Sequence, residues 1–396
     1  MTTQERPSDT PDVVVGQAPP ATGAARRSSR WYVPAFDGLR GVLAVTVMWV
    51  HAGFPGNVLW LAIPVFFVMS GFFIVKILLG RPPEGKVAGI RAFVRNRALR
   101  LLPLYVALCL FLTFLGLVFD RPESIRGDLP WLWTATYDFR LISAGWNADM
   151  YKHVWSVAVE IQLCALAAVA ALVLTRRGLR TFLVVLVLGG PLLRLGVGML
   201  LVHAGGLDFD YMIEVMQGLP FGYVDAFAMG GLLAYPEIFR RLPSTRTLVV
   251  GAVVLVGSIS AVQVVVAAVT GAPFPLWRSW AIAFPIDHGW LWGYSLLGLL
   301  SVLMLVVVTR GAGPLPRLLE NRVLIWLGER SYSIYLLHMP IFLIGHRLAG
   351  YDPSVPAQLG IFLGCGTLAV ALSVVTFRWI ELPFLRMKGR TRTAAA

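Results

Sequence analysis

Residues 40–51 read RGVLAVTVMWVH, ten residues suited to a lipid-facing helix bracketed by Arg40 and His51. At about 100° per residue the eleven steps between them turn roughly 1100°, or three circuits and about 20°, so both polar groups fall on one helix face. The helical rise separates their backbones by roughly 16 Å along the axis. Arg40 then sits near one end of a membrane crossing and His51 in the opposite half. Asp37, one turn before Arg40, is spaced to pair with it. An ionisable group inside a bilayer costs a few kcal/mol and usually faces the interior of a bundle. Snorkelling explains Arg40 alone, and explains His51 poorly.

Working outward, 57% of the 396 residues are hydrophobic, 14% are charged and the mean hydropathy is +0.72. Such a composition lies outside that of soluble globules. Apolar runs of about 20 residues, the length that crosses a hydrocarbon core, occur at 36–53, 57–79, 101–119, 154–174, 181–203, 219–236, 247–270, 288–309, 323–345 and 357–380. The expected fold class is all-α, a polytopic membrane helix bundle of about ten transmembrane helices.

The formal net charge of +13 is distributed with a period. Arg26, Arg27 and Arg30 precede the first run, and Arg81, Lys86, Arg91, Arg95, Arg97 and Arg100 separate the second from the third. Arg176, Arg177 and Arg180 follow the fourth, Arg240, Arg241 and Arg246 the sixth, Arg310, Arg317 and Arg322 the eighth, and Arg386, Lys388, Arg390 and Arg392 end the chain. Alternate connections are basic, while residues 204–218 hold Asp208, Asp210 and Glu214 and no Lys or Arg. The positive-inside rule then places both termini in the cytoplasm. Basic groups scattered over loops, rather than gathered on one face, argue against a nucleic-acid partner and leave the lipid bilayer as the partner of this charge.

Residues 1–30 are polar, rich in Pro, Ser, Thr and Ala, and hold no apolar signal segment, so they read as a disordered cytoplasmic tail. Residues 31–385 form the transmembrane domain and 386–396 a short basic cytoplasmic tail. Cys109, Cys164 and Cys365 all fall within apolar runs and point to neither a disulfide nor a zinc site. No repeat of 20–50 residues and no similarity between the halves is visible, which weakens a repeat-built transporter.

The longest outer segment, 120–153, carries Trp131, Trp133, Tyr137, Trp146 and Tyr151 beside Asp128, Asp138 and Asp149. It reads either as an interfacial aromatic belt or as a lid or platform for sugars. A second outer loop, 271–288, holds Trp277, Arg278, Trp280, Asp287 and His288. Inside the spans, HVWSVAVE aligns His153, Ser156 and Glu160 on one face, and SYSIYLLH aligns Ser331, Tyr335 and His338 with Tyr332 adjacent. Glu160 needs a cationic or hydrogen-bonding partner; a structural contact with Ser156 and a catalytic role are both open. Helix-to-helix hydrogen bonding is the plain alternative for the Ser331 stripe. Arg97 and Arg100 at the cytoplasmic mouth fit either simple anchoring or a forked grip on phosphate. Glu381 is placed to orient such an arginine, and Asp225 is a lone intramembrane acid. His203, His288 and His346 read as interfacial.

Together these residues resemble the transmembrane acyltransferase 3 family, multi-spanning enzymes that acylate surface glycans, glycolipids and some natural products. FDGLRG at 36–41 is similar to its opening motif, and the Arg40 to His51 interval to its Arg-x10-His signature. FFVMSGFFI at 66–74, Arg97 with Arg100, VWSVAVE, SYSIYLLHMP and the final Glu381-Leu382-Pro383 resemble further family motifs, in order from residue 36 to 383. Val157 and Ala158 stand where a bulkier residue is expected, and Ile161 where an aromatic is common, which implies an altered acceptor pocket.

The resemblance implies an acyltransferase that moves an acyl group, acetyl foremost, from cytoplasmic acyl-CoA to a hydroxyl of an envelope carbohydrate or glycolipid. No permanently bound cofactor and no metal are implied. The catalytic set drawn from the motifs is His51, Arg40, Glu160, Tyr335 and His338, with His51, of ordinary pKa about 6.5, as the base. Arg97, Arg100, Ser70, Ser331 and Glu381 are the donor-binding set, and His153, Trp155 and Ser156 the acceptor-binding set. Direct transfer and passage through an acylated residue such as Ser70 both stay open. So do O-acylation of a secreted small molecule such as a macrolide, a secondary transporter or flippase, and a nonenzymatic surface sensor.

Overall fold

The structure is a computed structural model that describes residues 33–54, 61–80, 85–119, 123–147, 150–271, 289–311, 313–350 and 353–388. The expected N-terminal tail, residues 272–288 of the second outer loop, and 389–396 of the basic tail lie outside the described residues. Every regular element among the described residues is helical. In chain order the helices are α1 (Pro34–His51), α2 (Ala62–Leu79), α3 (Lys86–Val118), α4 (Glu123–Trp133), α5 (Tyr137–Ala144), α6 (Trp155–Val173) and α7 (Arg176–His203). There follow α8 (Phe209–Met216), α9 (Val224–Leu233), α10 (Thr245–Thr270), α11 (Gly289–Arg310), α12 (Arg322–Glu329), α13 (Ser331–Ala349) and α14 (Val355–Thr376).

Seven of these, α2, α3, α6, α7, α10, α11 and α14, are long and apolar enough to cross a membrane. The chain is a multi-pass integral membrane protein. Asp37, Arg40 and His51 dilute the apolar length of α1, and α9 has ten residues, about 15 Å of helix. The outward faces are apolar, as at Leu188, Leu192, Val253 and Val269. The 33 residues of α3 span roughly 50 Å, more than the hydrocarbon core, so its first turns, with Lys86, Arg91 and Arg95, project beyond it.

Close helix packing explains two of the glycine motifs. A side chain at Gly41 would collide with the Leu324 carbonyl, and one at Gly328 with the Asp37 carbonyl. The backbones of α1 and α12 touch there, at positions flanking Arg40 in the sequence. Likewise Gly71 of α2 meets the Phe227 carbonyl while Gly230 of α9 meets Val68. Between helices in lipid, where no hydrophobic drive separates protein from solvent, such small-residue contacts supply the attraction.

The long outer segment is a helical hairpin rather than an open loop. α4 runs back along α3: Arg126 donates to the Gly116 carbonyl at 2.5 Å, and the Tyr105 hydroxyl donates to the Leu132 carbonyl at 2.6 Å. Eleven residues of α3 separate those two anchors, roughly 16 Å of descent. α5 then returns. Asp128 gathers the turn by accepting from Arg140 at 2.7 Å and from the Tyr151 hydroxyl at 2.9 Å. Tyr137 and Tyr151 are buried, so only Trp131 and Trp133 of the expected aromatic face remain exposed. Asp149 lies outside the described residues.

Asp225 is not alone. Arg194, fully buried in α7, donates to its carboxylate at 3.0 Å, and to the Ser295 hydroxyl at 2.5 Å and the Leu291 carbonyl at 2.9 Å. Three helices are thereby pinned by one satisfied charge pair. At the far end α14 continues into a π-helical turn, Phe377–Glu381, which carries Glu381 inward against the Ser333 hydroxyl.

Candidate active site

α1, α2, α3, α6 and α13 converge on one cleft. Its polar wall consists of Arg40, Ser70, Arg97, Arg100, Ser156, Glu160, Ser331, Tyr332 and Tyr335. Arg40, Leu43, Ala44 and Val47 line it from α1, the i, i+3, i+4, i+7 stripe of a single helix face. Arg40 is steadied by Asp37 at 3.0 Å and lies over the Phe73 ring at 5.3 Å. Arg97 forms an ion pair with Glu160, whose carboxylate also accepts from the Ser70 hydroxyl at 3.1 Å. The partner that Glu160 requires is therefore an arginine of α3, and the contact with Ser156 that the sequence left open is not formed among the described residues. The Tyr332 hydroxyl donates to the Leu101 carbonyl at 2.8 Å and ties α13 to α3. Around the cleft the guanidiniums of Arg40, Arg97 and Arg100 meet the carboxylates of Asp37 and Glu160, and Glu381 lies within electrostatic reach of Arg100.

At its other end the cleft meets a pair of hydroxyls. Ser156 and Tyr335 hydroxyls lie 2.6 Å apart, and Tyr335 donates onward to the His153 carbonyl at 2.8 Å. Behind this pair stand three imidazoles. The His338 ring centroid is 5.1 Å from that of His51 and 5.0 Å from that of His153, while the Tyr335 ring is 5.2 Å from His153. His338 Nδ1 lies 2.5 Å from the Tyr335 carbonyl; because a carbonyl only accepts, Nδ1 carries the proton and the neutral ring keeps a lone pair on Nε2. That Nε2, like both ring nitrogens of His153, is buried with no hydrogen-bond partner among the described residues. The His51 carbonyl accepts from His346 Nε2 at 2.7 Å.

Eleven of the expected residues therefore fall into two neighbouring groups. Arg40, Ser70, Arg97, Arg100, Glu160 and Ser331 line the cleft, with Ser156 and Tyr335 at its far end; His51, His153 and His338 lie beyond. The α1 side of the cleft lining runs to Val47, one turn short of His51, and Tyr335, which lines the cleft, also lies against the His153 ring. Trp155 and Glu381 stand apart from the cleft. Trp155 is buried and stacked on Tyr223 with ring centroids at 5.6 Å, and Glu381 is buried against Ser333. His346, interfacial in the sequence reading, is an addition to this group through its contact with the His51 carbonyl. Its signal was the spacing of two helical turns from His338. Arg194 was also legible, as a single arginine in the middle of the 181–203 run.

A family model described as an acyltransferase domain matches residues 33–378. The peptidoglycan O-acetyltransferase OatA of Listeria monocytogenes is 26% identical over 388 residues, covering 92% of this chain and 57% of that protein. The O-acetyltransferase OatA of Staphylococcus aureus is 23% identical over 387 residues, 90% of this chain and 58% of its own length. The chain thus spans a little over half the length of these curated relatives. No solved structure matches it.

Proposed function

The chain belongs to the acyltransferase domain family whose model covers residues 33–378, and from that premise we propose that it acetylates a hydroxyl of an envelope carbohydrate or glycolipid with cytoplasmic acetyl-CoA as donor. Residues 31–385 act as one transmembrane unit of ten crossings, with α1, α9 and the α12–α13 pair completing the seven long spans and both termini in the cytoplasm. The observation that carries this reading is the pairing of an arginine-lined cleft with a row of imidazoles across a thin partition. The name of the Listeria relative, a peptidoglycan O-acetyltransferase, favours a wall or surface polysaccharide as the acceptor.

In this reading Arg97, Arg100 and Arg40 grip the donor's phosphates with charge-assisted hydrogen bonds. Glu160 and Ser70 hold Arg97 in place, while Ser331 and Tyr332 border the path of the pantetheine arm. His51 removes the proton of the acceptor hydroxyl, with His338 and His153 continuing the row. As the thioester carbon is attacked and the thiolate departs, Tyr335, which lines the cleft, is a hydroxyl placed to approach the developing oxyanion. Glu381 and Trp155 support the walls from behind.

Membrane vesicles containing the full chain, supplied with acetyl-CoA and an envelope polysaccharide extract, test the proposal. Release of free coenzyme A together with labelled polysaccharide is expected. His51→Ala should lower the rate by at least about 100-fold at unchanged expression. Full activity of that variant, or transport of a solute with no thioester consumed, overturns the reading.

A further inference from the structure

The partition between the cleft and the imidazoles raises a question about the acyl group's route. Two hydroxyls form it. Tyr335 donates to the His153 carbonyl at 2.8 Å, and the Ser156 hydroxyl touches both the Tyr335 oxygen at 2.6 Å and that same carbonyl at 3.3 Å. Both contacts lie on the histidine side, while Ser156 also lines the cleft. It lies one helical turn beyond His153, whose ring nitrogens are both unpartnered and buried. Of the other serines on the cleft wall, Ser70 is committed to Glu160.

We propose that the acyl group crosses this partition bound to Ser156, which makes the enzyme a two-step transferase with an ester intermediate. The proposal rests on the reading of the cleft as the donor site. In the first step the Ser156 oxygen adds to the thioester carbonyl carbon, the carbon–sulfur bond breaks, and the serine proton passes to the departing sulfur to give coenzyme A thiol. In the second, the acceptor oxygen adds to the ester carbon, the Ser156 oxygen–carbon bond breaks, and the acceptor proton travels through the histidine row back to the Ser156 oxygen. Atoms and charges balance without a further reactant. The arrangement follows the general pattern of nucleophilic catalysis, with the Ser156 hydroxyl in hydrogen-bond contact with Tyr335, whose ring lies against His153. It also removes any need for the cleft to open onto the outer side while coenzyme A is bound.

The test uses the full chain in vesicles with acetyl-CoA labelled in the acetyl group and no acceptor, followed by acid quench and peptide mapping. A burst of coenzyme A equal to the amount of protein is expected, with one hydroxylamine-labile acetyl on the peptide that contains Ser156. Ser156→Ala should carry no label and lose at least about 100-fold in turnover, while Ser156→Cys should accumulate label as a thioester. Absence of burst and label in a preparation that still turns over with the polysaccharide extract overturns the relay and leaves the acyltransferase reading intact; absence of coenzyme A release under either condition overturns both. Label on Tyr335 or Ser70, or a fully active Ser156→Ala chain, also overturns it. Mapping of the unaltered protein decides the matter should either variant fail to fold.

Discussion

Arg194 and Asp225 illustrate what a charge needs in order to sit among apolar helices. Both are fully buried, and the guanidinium spends its donors on Asp225, Ser295 and the Leu291 carbonyl. Removing one partner strands the other: Arg194→Met is expected to cost about 3–5 kcal/mol, read as a lowered unfolding temperature in detergent. Arg194→Met combined with Asp225→Leu should recover most of that loss, the non-additivity expected of a direct pair. Arg100, by contrast, stands on the cleft wall. Loss of a charge-assisted hydrogen bond worth roughly 1.5–3 kcal/mol from Arg100→Ala should raise KM for acetyl-CoA about tenfold or more with little change in kcat, as steady-state kinetics in vesicles will report. Asp138, in the segment between spans, is pushed by burial up to about 7 despite the hydrogen bond from Gln162. A carboxyl so raised stabilises the fold below its unfolded value near 3.9 and loses that contribution as pH rises toward 7. Asp138→Asn should therefore flatten the fall of the unfolding temperature between about pH 4 and pH 7.

At the scale of elements, helix faces were readable and contacts between distant segments were not. The 3.6-residue period placed Arg40 and His51 on one face, and the structure puts Arg40, Leu43, Ala44 and Val47 on the cleft wall with His51 next in line. Nothing local could reveal that Tyr335, 179 positions from Ser156, would meet its hydroxyl at the end of the cleft. The 120–153 segment misled for a similar reason. Its aromatics suggested a surface, but Tyr137 and Tyr151 are drawn inward by Asp128, Arg140 and the adjacent helices. Glycine carried a different kind of information, since Gly41 and Gly71 mark where two backbones touch. Gly71→Val should prevent α2 and α9 from closing and abolish a monodisperse peak in size-exclusion chromatography. Gly251→Val, on an open face of α10 with no atom near its Cβ, should leave the peak unchanged.

At the scale of the whole molecule, the alternation of basic and non-basic connections predicts which side each one faces. A cysteine introduced at Glu320, in an exposed basic connection, should react with an impermeant maleimide only after the vesicle interior is opened to reagent from the cytoplasmic side. One at Asp210 should react from the opposite side; the reverse pattern would invert the proposed route of the acyl group. The hairpin of α4 and α5 bears on how such a chain is built. One of its anchors, Tyr105, precedes it, and another, Gln162, follows it inside α6. During synthesis the segment leaves the ribosome ahead of Gln162, so its final docking waits until α6 has been released into lipid. Assembly of this wall is consequently a late, post-insertional event, and a chain halted before α6 would expose Asp138 to water.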